Sequence, residues 1–439
     1  MLDNLIASRK KQLKLYTKFG FVFLLIILML IPNSLIIDLI FDRQVLEQQV
    51  QSEISAGWGP DQKIVGPILS IPYRQRKIVD DKIIYSDHVL KVLPSELSVD
   101  VDVSTEERKK GIYKAILYKG GHSMSGVFTL PSNINFGNYV DSILWSEISI
   151  DIGFSASSSL EGIAYVDIGG IKHKMRSGAS STSSSPSSVH TTFAIDPSIL
   201  RLDFSCAFSI KGSGSLTYVP VADSAEYTLR SDWHSPSFIG FPLPGERQIS
   251  SEGFTAQWNN TEYNKPFKRM WEDDQVNIYR TSNMFGVKLV SPVGHYQKNM
   301  RSSKYALMIM SLTFMMFFFF EVLKGAAIHS IQYVFVGLAL SVFYVLLLSL
   351  SEHVGFEWAY FVASCHIIGL IGWYSIYMFN DKRSVFVLIS ILVGLYGYIY
   401  ILLQMEDYAL VVGSLGLFAI LASVMYLSRR MNWYEMHIE

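Results

Sequence analysis

Six stretches of this chain are long enough and free enough of charge to cross a lipid bilayer, and they leave little choice of architecture. A spanning helix needs about 20 mostly apolar residues, because each residue rises about 1.5 Å through a hydrocarbon layer roughly 30 Å thick. The first stretch runs from Phe19 to Ile37 (FGFVFLLIILMLIPNSLII). The others lie at Tyr305–Phe320, Ile331–Leu350, Trp358–Phe379, Ser384–Leu403 and Tyr408–Ser428. None carries Asp, Glu, Lys or Arg in its interior, where a lone charge costs several kcal/mol or more. The run at 305–320 is short, and snorkelling of Glu321 and Lys324 would let Val322 and Leu323 complete it. Tyr305, Trp358, Tyr360, Tyr408 and Tyr426 stand at the ends, where an interfacial belt belongs.

Cations in the short flanks orient such a bundle. Arg9, Lys10, Lys11, Lys14 and Lys18 precede the first run; Lys324, then Lys382 and Arg383, then Arg429 and Arg430 mark alternate later junctions. The intervening loops 351–357 and 404–407 hold no Lys or Arg. This reading places both termini in the cytoplasm and residues 41–300 outside. Lys298, Arg301 and Lys304 fall on the other side, but a long translocated domain weakens their effect. The first run is too long for a signal-peptide core and no A-x-A-like site follows, so it is read as an uncleaved anchor that Pro32 bends or loosens.

Between the first and second spans the pattern changes. Asp42–Ser55 reads as a short helix stopped by GWGP at 57–60. Strand-like alternation follows in LSVDVDV (97–103), IYKAILY (112–118), EISIDIGF (147–154), GIAYVDI (162–168) and LRLDFSCAFSI (200–210). Such repetition predicts a mainly-β, sandwich-like domain. The Ser-rich segment 177–188 is expected to be a flexible loop within it, because it has no apolar area to bury. The expected fold is therefore a multi-pass α-helical membrane protein of about six transmembrane helices with a large extramembrane mainly-β domain. Its parts are a basic cytoplasmic segment (1–18), a first span (19–40), a periplasmic domain (41–300), a five-helix bundle (301–428) and a cytoplasmic tail (429–439).

Net charge is −1, so nothing marks the chain as a nucleic-acid binder. Cys206 lies in the β region and Cys365 in an apolar run; they are not expected to pair, and neither sits in a metal spacing. H-E-x-x-H, G-x-S-x-G, the phosphate-binding loop and the dinucleotide fingerprint are all absent. No catalytic residue, cofactor or metal site is expected.

A few polar residues remain as positions of interest. His366 stands near the middle of a span: it is either a proton or metal site, or a histidine bonded to a neighbouring helix. Glu352 and His353, with Glu357, Glu406 and Asp407, either ring the outer face as a cation site or form an ordinary lysine-free rim. Glu321 and His329 flank a tight inner loop holding Lys324, where a pairing that fixes the hairpin is expected rather than catalysis. His329, Gln332, Tyr333, Gly337 and Ser341 share one helix face. Gly337/Ser341, Cys365/Gly369, Ser390/Gly394 and Ala409/Gly413 are small pairs four apart, which allow close helix approach.

The block from Lys304, KYALMIMSLTFMMFFFFEVLKGAAIHSIQYVFVGLALSVFYVLLLSLSEHVGFEWAY, resembles the C-terminal membrane region of the inner membrane protein CreD family of Gram-negative bacteria. WGPDQKIVGPILSIPY (58–73), DSAEYTLRSDWHSPSFIG (223–240) and GFTAQW (253–258) extend that resemblance in the same order over nearly the whole chain. The resemblance implies an inner-membrane protein linked to cell-envelope integrity. It also implies association with colicin tolerance and with genes under a two-component system responsive to carbon source and envelope or β-lactam stress. It brings no catalytic residues with it. The leading expectation is thus a non-enzymatic envelope protein embedded in the lipid bilayer, whose outer domain meets envelope or periplasmic partners. A transporter or channel, and a membrane-bound enzyme acting on envelope material, are the alternatives. Oligomeric state is left open.

Overall fold

A computed structural model of the chain describes residues 2–79, 82–131, 140–178, 187–265, 267–273, 275–290, 294–324, 328–379, 381–405 and 408–429. Contacts divide the chain into two units, Met1–Glu47 with Val293–Glu439, and Gln48–Pro292. The division falls a few residues inside the boundaries of 41 and 300 expected from hydropathy.

The first unit is helical. Helix α1 runs unbroken over Leu2–Trp58 with Pro32 inside it. The short helix expected at 42–55 is therefore not a separate element; it continues the first span, because no glycine or second proline interrupts the backbone before GWGP. Helices α2 (His295–Lys304) and α3 (Ala306–Lys324) follow. Then come α4 (Ser330–Val354), α5 (Phe356–Met378), α6 (Lys382–Gln404) and α7 (Ala409–Arg429). Among the described residues five helices are each long and apolar enough to cross a membrane, and α2 with α3, bent by 43°, make a sixth as a pair. The second span is thus longer and more broken than the straight apolar run read from Tyr305.

The second unit is mainly β. Among its described residues one sheet has eight strands in the order Glu246–Ser250, Gly253–Thr261, Ser224–Ser231, Glu96–Lys110, Tyr113–Thr129, Arg201–Ser213, Leu160–Ile168 and Ile171–Lys174. The other has ten and is organised around the long strand Gln62–Val79. That strand pairs in parallel with Ser215–Tyr218 and antiparallel with Lys82–Val92, Val140–Ile143 and Ile148–Gly153. Alternation sets the faces. Leu97, Val99, Val101 and Val103 are buried while Ser98, Asp100 and Asp102 are exposed. Ile148, Ile150 and Ile152 join residues of both sheets in one apolar core, the signature of a sandwich. The last turns of α1, from Gln48 to Trp58, belong to this unit, where Trp58 donates to the Tyr118 carbonyl and lies under the Arg108 guanidinium. Of the Ser-rich segment, Ser177 ends one strand and Ser188 begins another, while 179–186 lie outside the described residues.

Candidate functional site at the two ends of the helical bundle

Polar chemistry in the helical unit collects at two levels. The first is a collar built on α2. Its sequence buries Tyr296, Asn299, Ser302 and Ser303 on one face, while Lys298, Arg301 and Lys304 fall outside that face. The Tyr296 hydroxyl donates to Glu352 Oε1 at 2.8 Å, and Arg43 of α1 lies 3.9 Å from the same oxygen. Asn299 Nδ2 donates to Ser351 Oγ at 2.7 Å. Lys298 donates to Glu357 at 2.8 Å and to Gln404 at 3.2 Å. One short helix thereby ties the end of α4, the start of α5 and the end of α6, and Arg43 adds α1. Asn299 Oδ1 and the hydroxyls of Ser302 and Ser303 are buried with no hydrogen-bond partner among the described residues.

The second level is a clasp. Glu321, at the end of α3, is fully buried. Lys18 of α1 donates to Glu321 and to the Ile328 carbonyl, and the Tyr333 hydroxyl of α4 donates to the other carboxylate oxygen at 2.7 Å. The snorkelling expected of Glu321 is corrected here: the side chain turns inward because a cation and a phenol are waiting for it. The hairpin is fixed by Tyr333 and by Lys18, which the sequence had shown only as a flanking charge.

The remaining singled-out positions separate. His329 is exposed and caps α4, its Nδ1 accepting from the Ile331 N–H and its own N–H donating to Gln332. His353 is exposed beside the collar and Glu352 is part of it. Glu406 and Asp407 lie outside the described residues, so the proposed acidic ring reduces to Glu352 and Glu357, each held by protein donors. His366 is exposed, and its Nδ1 donates to the Val362 carbonyl of its own helix at 2.8 Å rather than to a neighbouring one. No group of three or more His, Cys, Asp or Glu able to hold a metal ion occurs among the described residues. Lys18, Arg43, Tyr296 and Asn299 were not singled out. For Lys18 and Arg43 the signal lies in matching: a cation stands at each end of the first span, and Glu321 and Glu352 stand near the ends of α3 and α4; Tyr296 and Asn299 carry no such signal.

Tyr333 and Glu352 are 19 positions apart on α4, a rise of about 28 Å and close to the hydrocarbon thickness. The two polar levels therefore bracket one bilayer-wide apolar layer. Since α2 begins at the collar and α3 ends at the clasp, the bent pair crosses that layer.

Fold and site define a multi-pass helical membrane protein that carries a large two-sheet β domain between its first and second spans. The profile of the family described as "Inner membrane protein CreD" matches residues 14–434. A protein of Escherichia coli (strain K12) named "Inner membrane protein CreD" is 30% identical over 429 residues, covering 96% of this chain and 94% of that protein. The chain belongs to the CreD family and is a multi-pass protein of the inner membrane.

Proposed function

We propose that this protein supports cell-envelope integrity without catalysis. In this reading residues 48–292 form a periplasmic platform for envelope partners, and the bundle holds that platform at the membrane. The observation that carries it is connectivity. The chain enters the β domain from α1 just after Arg43 and leaves it into α2, and Arg43 and Tyr296 meet on the one carboxylate of Glu352. Both tethers are therefore fixed at a single level, as suits a device that senses or resists load on its outer domain. The carboxylates of the collar are occupied by protein donors, which leaves none poised as a base. In this reading both termini lie in the cytoplasm, which the cations flanking α1, α6 and α7 favour.

The test is a deletion strain challenged with envelope stress (detergent, β-lactam, osmotic shift) and complemented in trans. Greater sensitivity on deletion is expected, restored by the wild-type chain and poorly by Glu352→Gln with Arg43→Ala at equal membrane abundance. Unchanged sensitivity on deletion would overturn the reading.

A transporter reading gains one specific observation, since the bent α2–α3 pair and buried Glu321 are features of solute paths. Solute flux in proteoliposomes that Glu321→Gln abolishes would put it first.

A further inference from the structure

Helix α7 touches α6 over only part of its length. The Tyr398 hydroxyl donates to the Val412 carbonyl at 2.9 Å, and that ring lies so close to Gly416 that a Cβ has no room there. Along Ala409–Tyr426 no residue of α7 is buried. A groove of about 630 Å³ opens between α3, α6 and α7, with Met316, Phe320, Ile391, Ala419 and Ile420 among its walls. Its surface is almost wholly hydrocarbon; Ser423 turns its hydroxyl back to the Ala419 carbonyl at 2.8 Å. Such a volume is in the range of small-ligand sites, and in a bilayer the chemistry that fits these walls is an acyl chain.

The groove has a polarity along its length. Its walls reach Val387 on α6 and Val424 on α7. Arg383 stands four positions before Val387 and Arg429 five positions after Val424, both exposed and about one to one and a half turns beyond the lining. Lys382 is exposed beside Arg383, and the sequence sets Lys324 four positions past Phe320 on α3. Helices α6 and α7 thus each present an exposed arginine at the same end, the clasp end. The nearby Asp381 is engaged with the start of α6, accepting from the Arg383 N–H at 3.0 Å and the Ser384 hydroxyl at 2.8 Å. Basic sites between transmembrane helices at a headgroup level recognise anionic lipid.

We infer that the α3–α6–α7 groove is a binding site for an anionic phospholipid, one acyl chain lying in the groove and the phosphate meeting Arg383 and Arg429. This site lies apart from the collar and does not depend on the proposed envelope role.

The test is lipid titration of the full-length, delipidated protein in mild detergent, read by native mass spectrometry. Phosphatidylglycerol, phosphatidylcholine with identical chains, and glycerol 3-phosphate are compared. Phosphatidylglycerol is expected to bind more tightly than phosphatidylcholine, with glycerol 3-phosphate inert. Arg383→Gln and Arg429→Gln should each weaken phosphatidylglycerol about fivefold and leave phosphatidylcholine unchanged. Ala419→Phe, at a position exposed to lipid and so tolerant of bulk, should weaken both lipids. Equal affinity for the two lipids, a preference that survives the double arginine variant, undiminished binding to Ala419→Phe, or binding of glycerol 3-phosphate would each overturn the assignment.

Discussion

Glu321 has no exposure to solvent, and its charge is tolerable only because Lys18 and Tyr333 reach both carboxylate oxygens. Removing one member of a buried pair costs more than removing both, because the survivor is left uncompensated. Lys18→Met should therefore destabilise the full chain in detergent by about 3–5 kcal/mol, and Lys18→Met with Glu321→Leu should recover most of it. Thermal unfolding of the two single variants and the double variant checks this; additive losses would show that the pair is not coupled. A second residue makes stability depend on pH. His122, buried in the β domain, hydrogen-bonds Tyr218 and the Gly120 carbonyl, and stacks on Phe208. Burial pushes its pKa down to about 4, against the partial opposition of the Gly120 carbonyl. Unfolded, the imidazole titrates near 6.5, so between those values the unfolded chain binds a proton that the folded chain does not. Its contribution is full above about pH 6.5 and drains as pH falls towards 4, by about 3 kcal/mol in all. Urea unfolding followed by tryptophan emission should show this slope in the wild type, and His122→Phe should flatten it. Neither residue could be valued from the sequence. Glu321 looked like a snorkelling end charge because its partner stands 303 positions away, and His122 sits in a strand whose depth only the second sheet creates.

At the scale of elements, small residues decide where helices meet. A Cβ at Gly337 would lie 2.9 Å from Phe314 Cζ and 3.0 Å from Met29 Sδ, so α1, α3 and α4 converge there. Gly337→Val should overfill that junction at a cost of about 1–3 kcal/mol. Gly369→Ala and Gly394→Ala meet nothing within 4 Å and should be neutral or slightly stabilising. Melting temperatures of the three variants in one detergent test the ranking. Period alone makes the four small pairs equals, yet Gly369 and Gly394 are open while Gly372, which belongs to none of the four pairs, faces Ile389. Spacing shows that two residues share a helix face, not which neighbour covers it. The strands were easier to read: LSVDVDV and LRLDFSCAFSI alternate so strictly that their buried faces follow from the letters, whereas sheet order depends on long-range pairing that no local pattern encodes. Helix α2 was missed because its polar, basic sequence has no apolar run; it earns its place only by bridging the ends of three other helices.

For the whole molecule, the two polar levels constrain how many times the chain crosses. Lys18 of α1, Glu321 of α3 and Tyr333 of α4 meet at the clasp, while Arg43 of α1, α2 and Glu352 of α4 meet at the collar. Were α3 not a crossing element, its end could not reach the clasp while α2 stays at the collar. Six crossings return α7 to the side on which α1 begins, and Arg383 and Arg429 fall on that side with Lys18. If that side is the cytoplasm, as proposed above, a sharp consequence for labelling follows. In a Cys365→Ser background, Gln248→Cys, exposed on the β domain, should react with a membrane-impermeant maleimide in intact spheroplasts. Lys382→Cys, exposed at the start of α6, should react only after the inner membrane is permeabilised. The converse pattern would invert the protein in the bilayer and with it the proposed platform. Reaction of both sites in intact spheroplasts would mean an even number of crossings between them, and would remove α3 from the membrane.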